Sequence, residues 1–195
     1  MGAIAPPFFC REQNMKNAVI ALLILIFSPA AASEIASGKK LVLLESAGGE
    51  SFELGSLDIS RDGSQWRFSF SPNDAGFSDH FLSMRPFKCI DGEPMYCHLV
   101  YPYDKPQTMT AEDFGNLEYE FLFIVRSPNE YGIDPYNGRY YVIRREKDML
   151  VGEARAVDLN ILAAPPEAGV TRPITETELD IIELESERFP RLIIR

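Results

Sequence analysis

Apolar and polar residues alternate with period two through much of the first half of the chain. Trp66, Phe68 and Phe70 are interleaved with Arg67, Ser69 and Ser71, the signature of a strand buried on one face. Upstream, 41–45 is β-rich, Ala47-Gly48-Gly49 is a turn, and 52–60 is a second run. Asp62-Gly63 then marks a tight hairpin. Within 52–60, Phe52 and Leu54 lie in one phase and Leu57 and Ile59 in the other, with Gly55 between them. A bulge there would return the apolar face to one side. The prediction is a three-stranded meander.

Residues 71–79 have loop composition, and a hairpin follows over 81–100 with its turn at Asp91-Gly92-Glu93-Pro94. Thr110 is a candidate helix cap with Asp113 at the reciprocal position, and Phe114, Leu117, Phe121 and Val125 recur at spacings of three or four. That periodicity predicts an amphipathic helix over 110–126, ending before Pro128, with Glu118 and Glu120 on its solvated side. Two further β-rich runs, 139–145 and 149–159, flank a turn at Glu146-Lys147-Asp148. The Pro-rich stretch 163–173 leads to an acidic terminal segment in which Thr175 and Glu178 can form a capping box, and 192–194 reads as an edge strand. The fold class expected is α+β, mainly antiparallel: a hairpin meander, able to curl into a small barrel, with one helix near 110–126 and an acidic C-terminal segment.

The first residues read differently. Lys16, an unbroken apolar run over 18–27, Ser28-Pro29, and then Ala30, Ala31 and Ala32 reproduce a secretory signal with cleavage after Ala32 or Ser33. The run is too short to span a bilayer, which takes about 20 residues. The expected organisation is an upstream extension or misassigned start over 1–14 (with Met15 as the start), a signal peptide over 15–32, one β-rich domain over 33–163, and a Pro-rich linker with acidic segment over 164–195.

Export bears on the cysteines. Without the leader only Cys89 and Cys97 remain, in a compartment where disulfides persist. They are expected to pair across the hairpin turn, closing a loop short enough to be worth only about 2.5 kcal/mol in the chain-entropy estimate. The chain carries 19 basic and 29 acidic side chains, a net charge of -10. That disfavours nucleic acid and favours encounter with basic partners.

The residues offer little specific chemistry. His80, Cys89, Cys97 and His98 are the right types for a metal, but their spacing is not that of a metal motif and oxidation would consume the thiols. Ser78-Asp79-His80 has the residue types of a hydrolytic triad without any elbow around the serine. No cofactor-binding or metal site is expected. All eight tyrosines lie between 96 and 141, and Tyr101, Tyr103, Tyr131 and Tyr136 occupy Pro-, Gly- and Asp-rich contexts that favour exposure. The leading expectation is a periplasmic or secreted, soluble, non-enzymatic protein that binds a protein or glycan of the cell envelope through these tyrosines. The alternatives are a small exported hydrolase using His80 or His98 with a carboxylate, and an accessory subunit of an envelope assembly.

Overall fold

The computed structural model describes residues 1–2, 35–83 and 86–195, and the latter two stretches belong to one compact unit, Ser33–Arg195. The expected signal peptide, Met15 start and Cys10 lie outside the described residues. Along the chain the elements are β1 (Gly38–Glu45), β2 (Ser51–Asp62), β3 (Gln65–Pro72), β4 (Ser78–Phe81), β5 (Pro86–Ile90), β6 (Met95–Leu99), β7 (Thr108–Met109), α1 (Gly115–Glu118), β8 (Leu122–Arg126), β9 (Gly138–Glu146), β10 (Met149–Val157), β11 (Leu179–Asp180) and β12 (Arg191–Ile194). They form one 12-stranded sheet in the order β4-β5-β6-β8-β9-β10-β12-β1-β2-β3-β7, with β11 also pairing with β10. Its pairings are antiparallel. The path has two ends, so the small barrel does not close.

Local chemistry accounts for the first meander. Gly63, at φ +59°, turns β2 into β3 so that Asp62 faces Gln65. The bulge falls at the glycine expected to host it: Val42 pairs with Gly55 but Leu43 pairs with Glu53, leaving Leu54 as the extra residue. Both Leu54 and Leu57 are thereby buried. A side chain at position 55 would meet the Ser71 carbonyl at 2.3 Å, on a backbone with φ +158°. The position requires glycine.

The sheet buries apolar residues on both faces. One face holds Val42, Leu44, Leu57, Trp66, Phe68, Tyr96, Phe123, Tyr141 and Leu192. The other holds Phe87, Cys89, Cys97, Leu122, Ile124, Tyr140, Leu159, Leu162 and Ile174. Adjacent residues of one strand, such as Tyr140 and Tyr141, therefore enter different cores. Tyr96 is fully buried with no hydrogen-bond partner for its hydroxyl among the described residues.

This two-faced burial explains why the helix expected over 110–126 does not form. Thr110 does accept the N–H groups of Glu112 and Asp113, and Asp113 in turn accepts that of Gly115, but only Gly115–Glu118 is helical. From Leu122 the chain is β8, a strand buried at every position between β6 and β9. Phe121, Phe123 and Val125 fill one core while Leu122 and Ile124 fill the other. A strand covered on both faces reads as a continuous apolar run, in which a helical spacing can always be found.

The C-terminus also differs. The capping box at Thr175 and Glu178 forms, but it opens a single turn, Glu176–Glu178, before β11. Instead of lying at an edge, β12 sits between β10 and β1, with Ile194 opposite both Leu150 and Val42. Leu192, Ile193 and Ile194 are buried, each worth about 2 kcal/mol of apolar burial before the ladder hydrogen bonds are counted. Leu192→Ala should lower unfolding stability by about 3 kcal/mol in urea titration. A chain ending at Pro190 should lose its cooperative transition; a native-like transition in that truncation would show that β12 is not needed to join the sheet.

Candidate functional site

Cys89 and Cys97 face each other across β5 and β6 and are disulfide-bonded, with both side chains fully buried. At the mouth of this hairpin, Asp91 accepts the Ser78 hydroxyl at 2.5 Å through one carboxylate oxygen and His80 Nε2–H at 2.7 Å through the other. These two bonds hold the Asp91 carboxyl below its usual range. Asp79, the acid adjacent to His80 in sequence, instead faces Lys88 at 3.1 Å. The trio thus has its carboxylate in the middle. A nucleophilic serine needs the imidazole there, to take the hydroxyl proton; here that proton points at Asp91, so the arrangement ties β4 to the hairpin. Arg188 adds a second tie by donating to the carbonyls of Ile90, Asp91 and Pro94.

His98 lies in an aromatic enclosure of Phe70, Phe77 and Phe123, with centroids 5.4–6.4 Å away, and donates from Nε2 to the Glu120 carbonyl at 2.8 Å. Burial pushes its pKa down, so the ring is held neutral. It is a part-buried histidine whose Nε2 is spoken for, and it is separate from the trio around Asp91. Among the described residues no group of three or more His, Cys, Asp or Glu side chains is arranged to hold a metal.

The four singled-out tyrosines fall into two pairs. Tyr101 is only 8% exposed and its ring meets Tyr119 at 4.6 Å and Tyr103 at 5.7 Å, both edge-on. The hydroxyls of Tyr101 and Tyr103 donate to the carbonyls of Thr171 and Leu162. The expected exposure of Tyr101 is therefore not found: proline-rich flanks set the backbone, but the phenol reaches inward to satisfy carbonyls of a segment without sheet pairing. Tyr131 and Tyr136, by contrast, are exposed, with Tyr136 at 72%. Both stand on the 127–137 loop between β8 and β9. That loop is braced by Arg126 Nη1–H on the Gly132 carbonyl at 2.7 Å, by Ser127 N–H on the Glu130 carboxylate at 2.8 Å, and by Asp134 capping the Tyr136 N–H at 3.1 Å. Ile133 is the third exposed apolar residue there.

A second polar constellation went unnoticed in the sequence. Glu118, expected in solvent, is 9% exposed and accepts the Tyr140 hydroxyl and the Ile143 N–H, each at 2.6 Å. Burial pushes its carboxyl up, against the pull of those two donors. Glu120, the other acid assigned to solvent, receives Lys105 at 2.6 Å, with the lysine only 5% exposed. Glu118 takes an N–H of β9 where β8 has diverged, since β8 and β9 pair only at Phe123–Arg139 and Ile124–Gly138. The acid lines a cleft of about 470 Å³ together with Glu112, Asp113, Tyr140, Arg172 and Glu176, beside apolar residues. The only local signal was an acid two residues from another in an otherwise apolar run, which periodicity assigns to a wet helical face.

No protein-family model, curated protein or solved structure matches this chain. The enclosure of His98 leads to one expectation. Because its folded pKa lies below the ordinary 6.5, the unfolded chain binds the proton more readily, and stability should fall as pH drops past about 6.5. His98→Phe should flatten the urea midpoint across that interval; an unchanged slope would place the acid sensitivity elsewhere.

Proposed function

We propose that the chain is an exported, non-enzymatic binding domain that holds a protein or glycan of the cell envelope against the braced 127–137 loop. The observation carrying this reading is the exposure of Tyr131 and Tyr136, with Ile133 between them, on a loop fixed at both ends by hydrogen bonds. Amphipathic rings presented on a rigid support lose little entropy on contact. Tyr101 and Tyr103 contribute to the support rather than to the contact. The net charge of -10 favours basic partners and faster encounter with them, screened by salt.

Export is supported by two features. A disulfide persists in an oxidising compartment, and the residues before Ser33 carry the order of a secretory signal. Among the described residues no helix is long and apolar enough to cross a membrane. The hydrolase reading is supported by the His80–Asp91 contact and weakened by the Ser78 proton facing the carboxylate.

The intact mass of the exported protein, unreduced and alkylated, is expected to match residues 33–195 less two hydrogens. A mass that retains 15–32 with both thiols alkylated would remove export. Replacing Tyr131 and Tyr136 together by serine should weaken retention of envelope proteins or glycans at least tenfold. Undiminished retention would show that the partner engages a different surface.

A further inference from the structure

The cleft beside α1 is separate in its residues from the 127–137 loop, and its chemistry is more specific. Arg172 enters it across Gly115, where a Cβ would stand 2.0 Å from Nη1; any larger residue would displace the guanidinium. Nη1 donates to Asp113 at 2.6 Å, the arginine side chain being 39% exposed. Among the described residues none accepts from Nε or Nη2. Those two nitrogens form the edge of the guanidinium that grips a carboxylate with two parallel hydrogen bonds.

The remaining walls limit what such a carboxylate can belong to. Glu112 and Glu176 line the cleft as exposed side chains, while Glu118 is buried with both oxygens already accepting hydrogen bonds. A simple anion would meet this negative field, and a simple cation would meet Arg172. A ligand carrying both charges a few ångströms apart satisfies each: its carboxylate on Arg172, its ammonium towards the exposed carboxylates. Phe114, Val142, Ile143, Ile174 and Leu179 complete the lining beside Tyr140 and Thr175, and give an incoming apolar side chain a surface to rest on.

We propose that this cleft binds a free α-amino acid with an apolar side chain. The carboxylate lies on the Nε/Nη2 edge of Arg172, the ammonium faces Glu112 and Glu176, and the side chain rests on the apolar lining. Asp113 is a positioning residue, since it orients the guanidinium through Nη1 and leaves the other edge free.

The test is isothermal titration of the full exported chain with L-leucine, L-phenylalanine and their D-isomers, beside leucinamide, which lacks the carboxylate, and 4-methylpentanoate, which lacks the ammonium. Saturable binding of at least one amino acid is expected, with affinity reduced at least tenfold for both truncated analogues. Arg172→Lys keeps the charge but not the two-pronged edge and should weaken binding at least tenfold. Glu112→Gln with Glu176→Gln, both at exposed positions, should weaken amino-acid binding while leaving the affinity for 4-methylpentanoate equal or higher. Circular dichroism of each variant separates lost binding from lost fold. No binding by any of the four amino acids would overturn the proposal. So would leucinamide binding as tightly as leucine, which would make the cleft a site for cations alone.

Discussion

The sheet is held together by its last strand. β1, β2, β3 and β7 form one run of neighbours and β4, β5, β6, β8, β9 and β10 another, and in the strand order only β12 lies between them. Its outward neighbours are β10 on one side and β1 on the other, so Leu192, Ile193 and Ile194 serve both halves at once. The approach to β12 is fixed in turn. Glu187 meets Arg139 at 2.9 Å, Arg188 grips the hairpin turn, and Tyr141 donates to the Phe189 carbonyl. A contact between the ends of the chain is entropically slow to form, and it rewards folding only when most of both halves is in place.

Once the two halves are joined in this way, the tyrosines divide their work. Tyr103, Tyr101, Tyr119 and Tyr140 meet edge-to-face in succession, and the last donates to Glu118. The hydroxyls of the first three anchor carbonyls between Leu162 and Ile174. A segment poor in secondary structure is thus fixed by phenols on a rigid sheet, and it delivers Arg172 to the cleft. Of the other four tyrosines, Tyr96 and Tyr141 fill the opposite core, and Tyr131 and Tyr136 face solvent. Structure and surface are built from the same residue type, and only the surroundings separate the two uses.

Much of the first half was legible locally because its signals are local. Asp62-Gly63 requires a tight turn, Gly55 permits a bulge, and the alternation around Phe68 matches a strand with one wet face; each depends on a few consecutive residues. Cys89 and Cys97 were legible for the same reason, standing on either side of a turn. The second half misleads because burial there is two-sided. The 121–125 run satisfies helical spacing and strand burial alike, and what selects the strand is pairing with β6 and β9, elements distant in sequence. Glu118 could not be recognised as interior, since its partners, Tyr140 and Ile143, come from a strand more than twenty residues away.

The sequence by itself determined the mainly antiparallel class, the positions of the tight turns, the glycine bulge, the cysteine pairing and the net negative charge. These follow from backbone sterics, short-range pairing and composition. Tertiary structure alone decided that 122–126 is a strand, that the terminal residues lie at the middle of the sheet, that Tyr101 and Tyr103 point inward while Tyr131 and Tyr136 do not, and that Arg172 shares a cleft with Glu118. Each of those outcomes turns on which distant group completes a hydrogen bond or covers an apolar face, and burial makes an uncompleted bond costly enough to override local preference.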